Sequence, residues 1–180
     1  MKWKSIFAKD LREKKKKQSK VNRVSINGGL QKKQFNQILK TLEIRLKDEE
    51  LKWVENKDDL FCIYVGQAES LKDRLLGNHI NGRRKSTLRT SIGAIILKEK
   101  GPTDIDKNVN VFIDSLKIEY KFVKQDELNV IEKNEIGRDY LRILNGQHNG
   151  KNSLRKQYKI TGKLTALRKK FNDLKSNAKL

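Results

Sequence analysis

Two uninterrupted apolar runs, LFCIYV (60–65) and IGAIIL (92–97), are the longest in a chain of 180 residues, 36% of which are charged. Neither can be left in water, so the fold has to close around both. LFCIYV runs straight into Gly66 and shows no helical spacing. A short apolar run bounded by glycine reads as a strand buried on both faces. IGAIIL lies inside STLRTSIGAIILKEKG (86–101), which opens on Ser86, suited to cap a helix, and closes on Gly101, suited to stop one. Leu88, Ile92 and Ile95 recur at helical spacing and turn inward. At six residues, both runs fall well short of the ~20 that a membrane-spanning helix needs.

Around these anchors the pattern alternates between helix and strand. Trp3, Phe7 and Leu11 stand four apart and predict a short amphipathic helix that dissolves into a lysine run. VNRVSINGG (21–29) reads as loop. From Leu30 on, Phe35, Ile38, Leu42 and Leu46 share one helix face, and LKWVE (51–55) either prolongs that helix or forms a short strand before the turn residues NKDD. A helix capped by Ser70 turns Leu71, Leu75 and Ile80 inward, and NVNVFIDSL (108–116) is a further short helix. LKIEYKFV (116–123) alternates apolar and charged residues, the mark of a strand with one wet face. Helices are expected from Asp126 to Leu144 and again near the end, where Leu164, Leu167, Phe171 and Leu174 line up. The class is mixed α/β, with a small, largely antiparallel, three-stranded sheet flanked by helices.

Charge is unevenly spread. Of a net +20, residues 1–20 hold +7 and residues 151–180 hold +9, which leaves +4 for the 130 between. Cationic ends on a nearly balanced body point to a polyanion, because neutralising phosphates releases counterions. Large apolar residues are too sparse in these ends for a membrane-surface helix. The one cysteine, Cys62, excludes a disulfide within the chain and any cysteine-based metal centre. No secretory-type apolar leader stands at the N-terminus, so a cytoplasmic location is expected.

The stretch IYVGQAESLKDRLLGNHI (63–80) resembles the second half of the GIY-YIG nuclease motif, with Tyr64, Val65 and Gly66 in the YIG place. Arg74 stands where that family has an arginine on its first helix, and His79 where several restriction and homing members have a histidine. IEKNEIGRDYLRILN (131–145) is similar to the family's Glu-bearing helix and closing asparagine, which maps onto Glu132 and Asn145. The resemblance covers roughly residues 50–150. It is closest to a bacterial subgroup whose next helix carries STLR, here Ser86 to Arg89. The opening Gly-Ile-Tyr is absent. Counting back eleven residues from Tyr64 reaches Trp53, which would take the first tyrosine's place on a strand paired with 60–66 through the NKDD turn. The resemblance divides the chain into a basic N-terminal arm and helix (1–50), a nuclease domain (51–150) and a basic C-terminal helical extension (151–180).

The chemistry implied is hydrolysis of a DNA phosphodiester. It needs a cation on the non-bridging oxygens, a divalent metal and a proton acceptor. Arg74 offers the fork of donors, and Glu132 is a hard oxygen ligand for Mg²⁺ or Mn²⁺, with Glu135 as its competitor on the same helix. Tyr64 or His79 takes the proton, His79 being the better base near neutrality. Arg83, Arg84, Lys85 and Arg89 cluster with Ser86 at a helix start, where cations and backbone N–H groups suit phosphates. The alternative is a GIY-YIG-fold protein that binds nucleic acid with impaired turnover, because an indole offers one N–H and relays no proton.

Overall fold

The computed structural model describes residues 4–7, 24–54, 56–57, 59–68, 86–122, 130, 140–145 and 153–177. Three strands carry the sheet: β2 (Val24–Gln31), β4 (Leu60–Ala68) and β5 (Lys117–Phe122), with β2 in the middle and antiparallel to both neighbours. This is the small antiparallel sheet that the sequence predicts. Two short strands extend its edges. β1 (Lys4–Phe7) lies along β5, and β3 (Asn56–Lys57) makes a tight hairpin with the start of β4.

β1 and β2 overturn two local readings. The four-residue spacing of Trp3, Phe7 and Leu11 suggests a helix, but Lys4–Phe7 pairs with Tyr120–Lys117 as an edge strand. VNRVSINGG reads as loop because of its asparagine and glycines. Pairing along both edges nonetheless holds Val24–Gln31 extended, and tertiary context outweighs weak local propensity.

Helices cover the sheet. In chain order these are α1 (Lys32–Thr41), α2 (Asp48–Leu51), α3 (Thr87–Lys100), α4 (Ile105–Asp114), α5 (Ser153–Gln157) and α6 (Ile160–Asn177). α1 packs on β2, β4 and α3, and the ring of Phe35 stacks on Phe61 with centroids 4.7 Å apart. α3 starts and stops as expected: the Ser86 hydroxyl accepts from the Arg89 N–H at 3.1 Å, and Gly101 takes a left-handed φ of 77°. It is buried on more than one face, with Ser91 to Ile96 all inside, because α4 and α6 both pack against it.

One core unites these layers. Leu30, Phe35, Ile63, Ile92, Ile113 and Leu141 belong to it, and so do Leu154, Ile160 and Leu164. The C-terminal helices are thus built into the same core as the sheet. Gly93 lets α6 pack closely on α3, since a Cβ there would stand 2.6 Å from Cε2 of Phe171. The helix expected to run to Leu144 does not reach it. Residues Tyr140 to Asn145 form a non-helical turn in which Leu141 to Asn145 are buried.

Candidate functional site

β4 carries Tyr64, Val65 and Gly66 through the middle of the molecule. Its pairing with β2 slips by one residue: Gly28 lies opposite Tyr64, but the next residue, Gly29, lies opposite Cys62. Ile63 is the extra residue of a β-bulge, a device that re-aims side chains. Strict alternation would put Tyr64 on the side of Cys62. Instead Phe61, Ile63 and Tyr64 join the main core, while Cys62 and Val65 form a separate small cluster. Gly66 follows on the Tyr64 side. A Cβ at Gly66 would stand 2.8 Å from the Tyr64 hydroxyl, so the phenol lies directly over the glycine. That contact is a physical reason for Tyr-x-Gly in this strand.

The other edge of β4 is closed by the turn at 140–145. The Leu144 N–H donates to the Ile63 carbonyl at 2.9 Å. One residue on, the Asn145 side chain completes the pairing: its Oδ1 accepts from the Val65 N–H at 2.8 Å, and its Nδ2 donates to the Val65 carbonyl at 2.7 Å. A side-chain amide thereby does what a neighbouring strand would do. Asn145 is 5% exposed, and its amide pairs with Val65, the residue between Tyr64 and Gly66.

The same edge explains where Trp53 goes. Continued in its own register, the β3–β4 hairpin would set Trp53 opposite Tyr64, as the sequence predicts. Pairing stops at Asn56, however. Trp53 lies in the turn after α2, its indole 40% exposed with Lys52 Nζ 5.5 Å from the ring centroid. Its carbonyl accepts from the Leu141 N–H, so the turn at 140–145 fills the edge that a longer β3 would have occupied. Trp53 does not take the first tyrosine's place in the sheet. The residue across from Tyr64 is Gly28, and β2 contains no tyrosine.

The basic cluster is only partly within the described residues. Ser86 is buried, its hydroxyl used to cap α3. The Arg89 guanidinium turns toward α4, donating to Asn110 Oδ1 at 2.8 Å and standing 4.0 Å from Asp106 Oδ1. Both order the start of α3. Arg74, His79, Arg83, Arg84, Lys85 and Glu132 lie outside the described residues. Among the described residues no three His, Cys, Asp or Glu side chains gather in a way that would hold a metal ion; Glu132 and its competitor Glu135 both lie outside them.

Two residues that the sequence gives no reason to single out approach the site from the C-terminal helices. Arg155 on α5 is 3% exposed, and Arg168 on α6 is half-buried against Ser91. Burial and the charge of Arg168 push Arg155 down to about 10, so it stays cationic at neutral pH. Burial also lowers Arg168, with Tyr64 working the other way. Both sit among cations that read as a solvated face.

A family model described as the GIY-YIG catalytic domain matches residues 29–170. No curated protein and no solved structure matches the chain. The match begins at the Gly28–Gly29 bulge and ends within α6, so it takes in β4, the turn at 140–145 and both arginines.

Proposed function

Because the chain belongs to the GIY-YIG family, whose members are nucleases acting on nucleic acid, we propose that it is a metal-dependent DNA endonuclease of restriction, homing or repair type. The observation that carries this reading is the Tyr64 phenol, fixed over Gly66 on a bulged strand inside the matched catalytic domain.

In this reading Arg74 contacts the non-bridging oxygens of the scissile phosphate, and Tyr64 or His79 accepts the proton of the attacking water. Glu132 would hold one divalent ion, which supplies positive charge against the phosphate. Asn145 keeps Val65, and with it the phenol, in place. Arg83, Arg84 and Lys85 meet neighbouring phosphates, while Ser86 and Arg89 fix the helix that follows them.

A second reading has its own support. Gly28 stands across from Tyr64, so β2 supplies no second phenol opposite it, and a nucleic-acid-binding protein with impaired turnover would look the same. Incubating the protein with supercoiled plasmid, Mg²⁺ and then a chelator separates the two. Nicking that is lost with chelator, with Glu132→Ala and largely with Arg74→Lys supports the nuclease. A lysine supplies charge but no bidentate fork. Retained binding without nicking, under Mg²⁺ or Mn²⁺, supports the binding protein and overturns the nuclease.

A further inference from the structure

Four consecutive carbonyls, from Arg142 to Asn145, accept hydrogen bonds from two guanidiniums of the C-terminal helices. Arg155 Nη1 donates to Arg142 O at 3.2 Å and to Ile143 O at 3.4 Å, and its Nη2 donates to Asn145 O. Arg168 Nη2 donates to the remaining one, Leu144 O, at 3.2 Å. Each arginine is anchored from behind. Arg155 Nε reaches Thr161 Oγ1 at 2.9 Å, and Arg168 reaches Ser91 Oγ through Nε at 2.9 Å and Nη2 at 2.6 Å. On its far side the same stretch is bonded to β4, at Ile63 through the Leu144 N–H and at Val65 through the Asn145 side chain.

We propose that Arg155 and Arg168 are positioning residues for Tyr64: they brace residues 142–145 against β4, so that the Asn145 amide fixes Val65 and the adjoining phenol. The brace rests on the nuclease reading only for what Tyr64 does.

The chemistry of the segment calls for such a brace. Residues 142–145 are buried in neither helix nor strand, so no ladder supplies their carbonyls with donors, and within the turn only the Asn145 N–H reaches back, to Arg142 O at 3.1 Å. A guanidinium presents five N–H groups in a rigid plane and can span several carbonyls at once, which an ammonium cannot. Placing two cations close together in the interior is unfavourable, and apolar packing would stabilise the fold more cheaply. What the arrangement supplies is a fixed position for one backbone segment, which meets β4 at Ile63 and Val65, the residues on either side of Tyr64.

The test uses the full chain with Arg155→Lys, Asn145→Ala and the double variant. Amide hydrogen exchange is read at Val65 and Leu144, and kcat and KM are measured on plasmid DNA. The brace predicts exchange at Val65 and Leu144 faster by ~10-fold or more in Arg155→Lys, with the amide of Ile38 in α1 unchanged. It predicts kcat lower by ~10–100-fold with KM nearly constant. It also predicts that the double variant is no worse in kcat than the poorer single one. Unchanged exchange at Val65, exchange raised equally across α1 and α3, or additive losses in kcat would each overturn it. Should Arg155→Lys not fold, Arg168→Lys, which touches one carbonyl, takes its place with exchange at Leu144 as the readout. If the wild-type protein cuts no DNA, the nuclease reading fails, and the exchange data still decide the brace.

Discussion

The hydroxyl of Tyr64 stands 2.8 Å from the point a Cβ on Gly66 would occupy, and ring carbons Cε1 and Cζ are as near, at 2.8 and 3.0 Å. The phenol can lie there only because residue 66 has no side chain. Gly66→Ala has to push the ring out of a buried site, at a cost of about 1–3 kcal/mol. Cleavage should fall further than this loss of stability explains, while DNA affinity changes little. Thermal unfolding, filter binding and plasmid nicking on one preparation check the three together.

Gly93 and Phe171 set a second close approach, with the ring's Cε2 2.6 Å from a Cβ on the glycine. Gly93→Ala should gain some helix propensity in α3 and still destabilise, by about 1–3 kcal/mol, because the buried Phe171 ring has to shift to admit the methyl group. Pairing it with Phe171→Leu should recover part of the loss. If Gly93→Ala unfolds at the wild-type urea midpoint, α3 and α6 pack more loosely than that distance implies.

Glu50 gives the protein an acid-side sensitivity. Its carboxylate accepts from the Tyr158 hydroxyl at 2.6 Å, the Lys47 N–H at 2.8 Å and Gln157 Nε2 at 3.0 Å, and these bonds hold it below the ordinary 4.5. A depressed folded value means that the unfolded chain takes up the proton first. The stabilisation is therefore complete above the ordinary value and is lost as pH falls through the folded one. Glu50→Gln should be less stable than wild type at pH 7, and the two should converge at low pH. A constant gap across pH 3–7 would show that Glu50 acts by packing alone.

The fold and the surface charge of the C-terminal helices can be tested apart. Cutting the chain before Ile160 removes Ile160, Leu164 and Phe171 from the interior and should unfold the protein. Replacing the exposed Lys169 and Lys170 by glutamine should keep the fold. If they meet phosphates, it should lower the slope of log K against log salt by up to ~0.9 for each phosphate that is no longer neutralised. An unchanged slope would place these lysines away from DNA.

Trp53→Tyr tests the register in solution. With the indole 40% exposed in a turn, the substitution should leave nicking within about twofold, far below the ~10²–10⁴-fold that a recovered acid–base group would bring.

Much of the fold is legible because burial leaves a period in the sequence. β4, α3, β5 and α6 all stand where continuous or periodic apolar residues place them, and Ser86 and Gly101 bound α3 as their chemistry suggests. β2 is hidden by its glycines, whose role emerges only when β4 bulges opposite them. Tyr140 to Asn145 carries Leu141, Ile143 and Leu144, an apolar spacing that fits a helix as well as a buried turn. Arg155 and Arg168 cannot be told from their solvated neighbours, since a cation's direction depends on which carbonyls the fold turns toward it.

The central place of β2 has a consequence for how the protein is made. Gly28 lies opposite both Tyr64 and Ile118, so the strand synthesised early is flanked by partners that emerge much later. At ~5–20 residues per second, the interval between the end of β2 and the end of β5 is on the order of ten seconds. Through that time an unpaired edge is open to non-native pairing. The surface that presents Tyr64 is thus a late product of biosynthesis, and a nascent chain halted before Lys117 still lacks the strand that completes its sheet.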